Sequence, residues 1–70
     1  MIRVKNISDF DVKVAAATAS NASVGIILKP GQYCYSKLET KMINAQRKKS
    51  MVQIEEVSGI EDEKLGIALA

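Results

Sequence analysis

Three short runs of this chain alternate apolar and polar residues, the period of a strand with one buried face. The first, Ile2-Arg3-Val4-Lys5-Asn6, points Ile2 and Val4 inward and Arg3 and Lys5 to water. The second, Phe10-Asp11-Val12-Lys13-Val14, puts Phe10, Val12 and Val14 on one face, and the third, Met51-Val52-Gln53-Ile54-Glu55, does the same for Val52 and Ile54. Ser8-Asp9 between the first two is turn-favouring, so the pattern predicts a hairpin with cross-strand pairs such as Val4 against Val12. Val24-Gly25-Ile26-Ile27-Leu28 is continuously apolar and reads as a largely buried strand. It runs into Lys29-Pro30-Gly31-Gln32, where proline suits the second position of a turn and glycine the positive φ of the third. Gln32 to Tyr35 then returns as a strand.

Ala15 to Ser23 is built of small residues with little to bury, and its second half reads as a loop. Ser36-Lys37-Leu38-Glu39 has the spacing of a capping box, serine followed three residues on by glutamate. It predicts one short helix from Lys37 to about Arg47, with Leu38, Met42, Ile43 and Ala45 toward the sheet. The fold class is therefore mostly β to α+β: a small antiparallel sheet, or a barrel or sandwich, with one short helix over about 37–47. Residues 1–57 form a single small β-rich domain. Residues 58–70 are a tail that begins acidic and ends apolar, with Leu65, Ile67 and Leu69 at period two, the pattern of an added strand. These three are the candidate protein interface, on a sheet edge of this chain or of a neighbour.

Composition narrows what stabilises such a domain. A chain of 70 residues has a thin core, and mini-proteins of this size commonly add disulfides, a metal or a partner. Cys34 is the single cysteine and histidine is absent, so an internal disulfide and the usual zinc ligand sets are both excluded. Oligomerisation or docking on another protein is left. The N-terminus lacks a signal-peptide pattern and no run is long enough to span a bilayer, so the expectation is a chain made in the cytosol with no membrane partner. Asn6-Ile7-Ser8 and Asn21-Ala22-Ser23 match the glycosylation triplet, which carries no weight without a secretory signal.

The same composition gives little chemistry to work with. Nucleophilic catalysis needs a positioned base; Cys34 has none in sight and reads as a small hydrophobe packed between two tyrosines. Glu55-Glu56 and Glu61-Asp62-Glu63 read as solvated charge, and the adjacent acids lack the ligand spacing of a calcium loop. Gly25, Gly31, Gly59 and Gly66 are isolated, so no phosphate-binding loop exists. The expectation is no enzyme and no cofactor. The net charge of +2 is small, but Lys37, Lys41, Arg47, Lys48 and Lys49 form a candidate basic patch that could touch phosphates, with Tyr33 and Tyr35 as the available stacking groups. Residues 37–49 hold five cations and one anion, and residues 55–63 five anions and no cation. Such blocks can pair within one molecule or between copies.

Val4-Lys5-Asn6-Ile7-Ser8, the spaced Ile27-Leu28-Lys29-Pro30-Gly31-Gln32, and the helix leading to Met51-Val52-Gln53-Ile54-Glu55 together resemble, over residues 2–57, a short β-rich module of small virion proteins of tailed bacteriophages. The resemblance implies a structural role in a phage particle: capsid decoration, head-fibre attachment or a head–tail part. Its partners would be other virion proteins or copies of itself, in a virion assembled in the bacterial host cytoplasm. No functional residue carries over, and the tail from Ile60 to Ala70 departs from the pattern. The expected function is thus a non-enzymatic structural or interaction protein docking on a capsid or tail lattice, with a small nucleic-acid-binding module on the basic helix face as the alternative.

Overall fold

The computed structural model describes residues 1–70 as five strands, one helix and a short 3₁₀ turn. The strands are β1 (Ile2–Asn6), β2 (Val12–Ala16), β3 (Val24–Leu28), β4 (Tyr33–Ser36) and β5 (Val52–Glu56); the helix, α1, is Lys41–Lys48. They make two antiparallel sheets, one in the order β4-β1-β5 and one of β2 and β3. The chain is a small β-rich α+β domain.

The core lies between the sheets. Val4, Cys34 and Val52 come from the three-stranded sheet, Val12, Val14, Ala16 and Leu28 from the two-stranded one, and Ile43 from the helix. Each strand contributes by alternation, so the aliphatic residues that share a parity fill one layer. Helix α1 packs on β2 and β5 and closes that side of the sandwich.

The hairpin expected from β1 and β2 does not form. Val4 stands opposite Cys34 on one side and Ile54 on the other, while Val12 stands opposite Leu28. β1 is the central strand with both edges occupied, so β2 crosses to the second sheet, where Val12 and Val4 share the core across the layers. Phe10 was expected inward with Val12 and is instead 71% exposed, because the strand begins only at Val12 and Phe10 belongs to the crossing loop.

The crossing is fixed by Asn6, which the alternation places on the inward side after Ile2 and Val4. Its side chain is buried and fully partnered: Nδ2 donates to the carbonyls of Phe10 (2.7 Å) and Leu28 (2.8 Å). Oδ1 accepts from the Ser8 amide (2.8 Å) and the Ser8 hydroxyl (2.7 Å). One amide thereby joins the end of β1, the loop and the end of β3. A buried polar group this well satisfied fixes geometry that apolar packing alone would leave open.

The turn after β3 has the expected form. The Gln32 amide donates to the Lys29 carbonyl (2.9 Å) and Gly31 has φ of 85°, the positive φ of a type II turn. It does not fold β3 back on β4, however; it passes the chain from one sheet to the other, with the Gly31 amide donating to the Asn6 carbonyl (3.0 Å). No atom lies within 4 Å of where a Gly31 Cβ would stand. Gly31→Val should therefore act through backbone strain alone, about 1–2 kcal/mol, seen as a lower urea midpoint, and D-alanine at 31 introduced by chemical synthesis should escape most of that loss.

The helix starts later than the capping box suggested. Thr40 is the N-cap, its hydroxyl accepting from the Ile43 amide (3.2 Å) and donating to the Ala15 carbonyl (2.6 Å). Ser36 is instead buried in β4, accepting from the Ala17 amide (2.9 Å) and donating to the Leu38 carbonyl (2.6 Å). With Ser36 engaged there, Leu38 falls outside the helix and is exposed; Met42 and Ala45 are exposed as well, and Ile43 alone is buried. At the other end Ser50 takes φ of 59°, and the Ser50 and Met51 amides donate to the Arg47 and Gln46 carbonyls, the Schellman arrangement.

Candidate functional site

The C-terminal tail runs along the outer edge of β4. After the 3₁₀ turn Asp62–Lys64, Leu65 bridges Tyr35 and Leu69 bridges Tyr33. Three backbone bonds hold it: Gly66 N–H to the Tyr35 carbonyl (3.0 Å), Leu69 N–H to the Tyr33 carbonyl (2.7 Å), and Tyr33 N–H to the Leu69 carbonyl (2.9 Å). Leu65 is buried and Leu69 half-buried, whereas Ile67 faces solvent. Of the three candidate interface residues, Leu65 and Leu69 are thus engaged by the chain's own sheet and Ile67 is the free one.

The structure does not assemble the basic patch as one face. Lys37 precedes the helix and Lys49 follows it as C-cap; Lys41 and Lys48, seven apart, share a helix face. The Arg47 guanidinium is ion-paired to Glu39 (Nε to Oε2, 3.0 Å), which also accepts from Asn44 (2.6 Å). The acidic block does not answer the basic one within the molecule: its ion pair runs from Glu55 to Arg3 (3.3 Å).

Tyr33 and Tyr35 do share a face, the outer face of the three-stranded sheet, beside Lys5 and Arg3 of β1. Their rings meet edge to face at 5.6 Å, and the Arg3 guanidinium lies 5.5 Å from the Tyr33 ring centre. This face belongs to the β4 side of the sheet and the helix to the β5 side, so tyrosines and helix lysines are kept apart.

Cys34 points the opposite way from the tyrosines that flank it in sequence, into the core against Val4. Burial pushes its thiol up to about 11, so it is protonated and shielded at neutral pH. The sign follows: the folded state holds this proton more tightly than the unfolded chain, whose ordinary value is 9.0. The contribution is complete below pH about 9 and is lost as pH rises through about 11. Cys34→Ala should show a shallower alkaline loss of stability than the native chain in urea titrations. An aromatic disulfide reagent at neutral pH should label native Cys34 at least about 100-fold more slowly than the unfolded chain, since labelling waits on opening.

Two exposed features were not evident from the pattern. One is the loop carrying Ile7 and Phe10, whose backbone is pinned by the Asn6–Ser8 network: the Ser8 hydroxyl, whose single hydrogen goes to Asn6 Oδ1, accepts from the Phe10 amide (3.2 Å). The other is an open groove of about 570 Å³ between α1 and the start of β3, lined by Ala15, Ala22, Ser23, Thr40, Met42 and Ala45, with Lys41 at its rim. Its walls are mostly methyl groups. They offer burial to an apolar side chain rather than acid–base or nucleophilic chemistry. No helix is long and apolar enough to cross a membrane. No protein-family model, curated protein or solved structure matches the chain.

Proposed function

We propose that this chain is a non-enzymatic structural protein that docks on a larger protein lattice, of the class of small virion components that its strand and turn motifs resemble. The observation that carries this reading is Phe10. The chain has a single phenylalanine, and it is 71% exposed on a loop that three of the four hydrogen bonds of the Asn6 side chain hold. A rigid aromatic held out from a small domain loses little entropy on binding and is the kind of anchor that dominates protein interfaces. Ile7 on the same loop is exposed too, as are Leu38 and, in the wall of the groove, Met42.

The test is the fate of the chain in particles. Density-gradient fractions of virions from cells in which the gene is expressed should contain it, by mass spectrometry, in fixed ratio to the major shell or tail protein. Phe10→Ser with Ile7→Ser should leave the fold intact by circular dichroism and shift the chain to the free-protein fraction. A native chain found wholly in the free fraction would overturn the proposal.

The nucleic-acid alternative rests on Lys41, Lys48 and Lys49, which make no ion pair in the structure. It expects a mobility shift with single- or double-stranded probes at low salt, lost in Lys48→Gln with Lys49→Gln and weakened by added salt.

A further inference from the structure

We propose that the outer edge of β3 is a self-association site, where two copies of the chain join β3 to β3 antiparallel, Ile27 of each copy seated on Gly25 of the other. The joined strands extend the two two-stranded sheets into one of four.

The first argument is an account of the edges. The outer edge of β4 is covered by the tail. The outer edge of β2 is capped from the other elements: Thr40 Oγ1 donates to the Ala15 carbonyl, Gln46 Nε2 to the Lys13 carbonyl (3.2 Å), and Ser36 Oγ accepts from the Ala17 amide. The outer edge of β5 carries Glu55 and Glu56 beside the helix, and two such edges would repel. β3 is left. It has one sheet neighbour, no charge, no proline and no bulge between Val24 and Leu28, which are the devices that ordinarily block edge pairing.

The ladder then sets the register. Because Lys13, Ala15 and Ala17 turn their backbone groups toward the helix side, Val12, Val14 and Ala16 pair with Leu28, Ile26 and Val24. Gly25 and Ile27 consequently turn their N–H and C=O away from β2. The next outward amide, at Lys29, is already taken by Gln32 Oε1 (3.0 Å), so the open stretch is centred on Ile26. An antiparallel copy that satisfies these groups sets Gly25 opposite Ile27 of its neighbour and Ile27 opposite Gly25, with about four backbone hydrogen bonds across the seam.

The side chains fit that register. Ile27 is 58% exposed, and in the monomer nothing covers it. Gly25 has no backbone reason to be glycine: its φ is not positive, and an added Cβ would meet only the flexible end of Lys13, at 3.7 Å. Glycine inside a strand weakens it and often marks close approach of another chain. The bare surface over Gly25 is the seat for the neighbour's Ile27, with the aliphatic stem of Lys13 alongside. The fit is reciprocal, as a two-fold interface requires.

The inference does not rest on a role in virions, and its test reads the isolated chain. Sedimentation equilibrium from about 10 μM to about 1 mM should show a monomer–dimer equilibrium, as expected of a small interface. Gly25→Val should raise or leave unchanged the urea midpoint yet weaken association at least about tenfold, since it improves the strand and fills the seat. Ile27→Lys should do the same to association, while Phe10→Ser, at the other exposed surface, should not. In hydrogen-exchange measurements the Gly25 and Ile27 amides should gain protection as concentration rises. A native chain that stays monomeric to about 1 mM overturns the proposal. So does association that survives both Gly25→Val and Ile27→Lys, or that Phe10→Ser abolishes.

Discussion

Replacing Asn6 with alanine should leave the chain largely unfolded at room temperature. The side chain makes four hydrogen bonds, two donated to the Phe10 and Leu28 carbonyls and two accepted from Ser8. At about 1 kcal/mol each, with further loss where a buried group is left without a partner, the total is about 4 kcal/mol or more. A core of this size supplies only about 3–5 kcal/mol, so the substitution removes most of the margin. Far-ultraviolet circular dichroism and urea titration would show it. Ser8→Ala, which leaves the Asn6 donors in place, should cost about 1 kcal/mol. If Asn6→Ala kept a urea midpoint near that of the native chain, the amide would not be what joins the two sheets.

Asn6→Asp sharpens the same point. An ionised carboxylate there would set an oxygen against the Phe10 and Leu28 carbonyls in a buried site, 2.7 and 2.8 Å from where the amide nitrogen now stands. Both burial and the facing oxygens disfavour the charge, so the folded-state pKa rises above the ordinary ~3.9. The sign is opposite to that of a salt-bridged aspartate. Whatever stability the variant has is complete below pH about 4 and is lost as pH rises through the raised value. The variant should therefore be markedly more stable, relative to the native chain, at pH 4 than at pH 7. Parallel pH profiles for the two chains would remove the basis for this reading.

Asn6 also shows where the sequence was legible. The alternation of apolar with polar residues is a local property, and it located β1, β2 and β5 to within a residue or two; the apolar run located β3, which is an edge strand with Gly25 and Ile27 exposed rather than the largely buried strand expected. In β1 the parity of Ile2 and Val4 carries on to Asn6, and a polar residue at a core parity is a signal that its side chain has partners. Those partners, Phe10 and Leu28, are set by topology, which no local period encodes. The pairing of β1 with β4 and β5 was hidden for the same reason: a short turn-favouring loop between alternating runs suits both a hairpin and a crossing between sheets. The helix start was misread where Ser36 and Thr40 competed. Both can cap; Ser36 was drawn into the sheet by Ala17 and Leu38, and Glu39 was left to hold Arg47 and Asn44. Of the candidate surfaces, the tail's period two suggested an added strand, but the tail meets β4 only through isolated bridges at Leu65 and Leu69, with the left-handed Gly66 beside an exposed Ile67; the exposure of Phe10 was hidden as well, because Phe10 has the right parity to be buried.

Ending the chain at Lys64 should both destabilise it and make it associate. The removed segment holds Leu65, whose burial is worth about 2 kcal/mol, and three backbone hydrogen bonds to Tyr33 and Tyr35 at about 1 kcal/mol each. It also uncovers the β4 edge, which then presents unpaired donors and acceptors to other chains. The lost burial and hydrogen bonding are as large as the whole margin of a core of this size, so the expected readouts are loss of most native far-ultraviolet circular dichroism at room temperature and higher oligomers in size-exclusion chromatography, both reversed by adding a peptide of residues 61–70. Point variants separate docking from mere presence of the tail. Gly66 has φ of 75°, and a Cβ there would lie 2.8 Å from Thr18 Cγ2. Gly66→Ala should thus reproduce much of the truncation through strain and collision together. Thr18→Ser removes the colliding methyl while keeping the hydroxyl that accepts from the Asn21 amide (3.0 Å). In that background Gly66→Ala should recover the part of the loss due to collision and retain the part due to φ. A truncated chain that melted and eluted like the full one would mean that the tail merely rests on β4, and that the edge it covers is protected by something else.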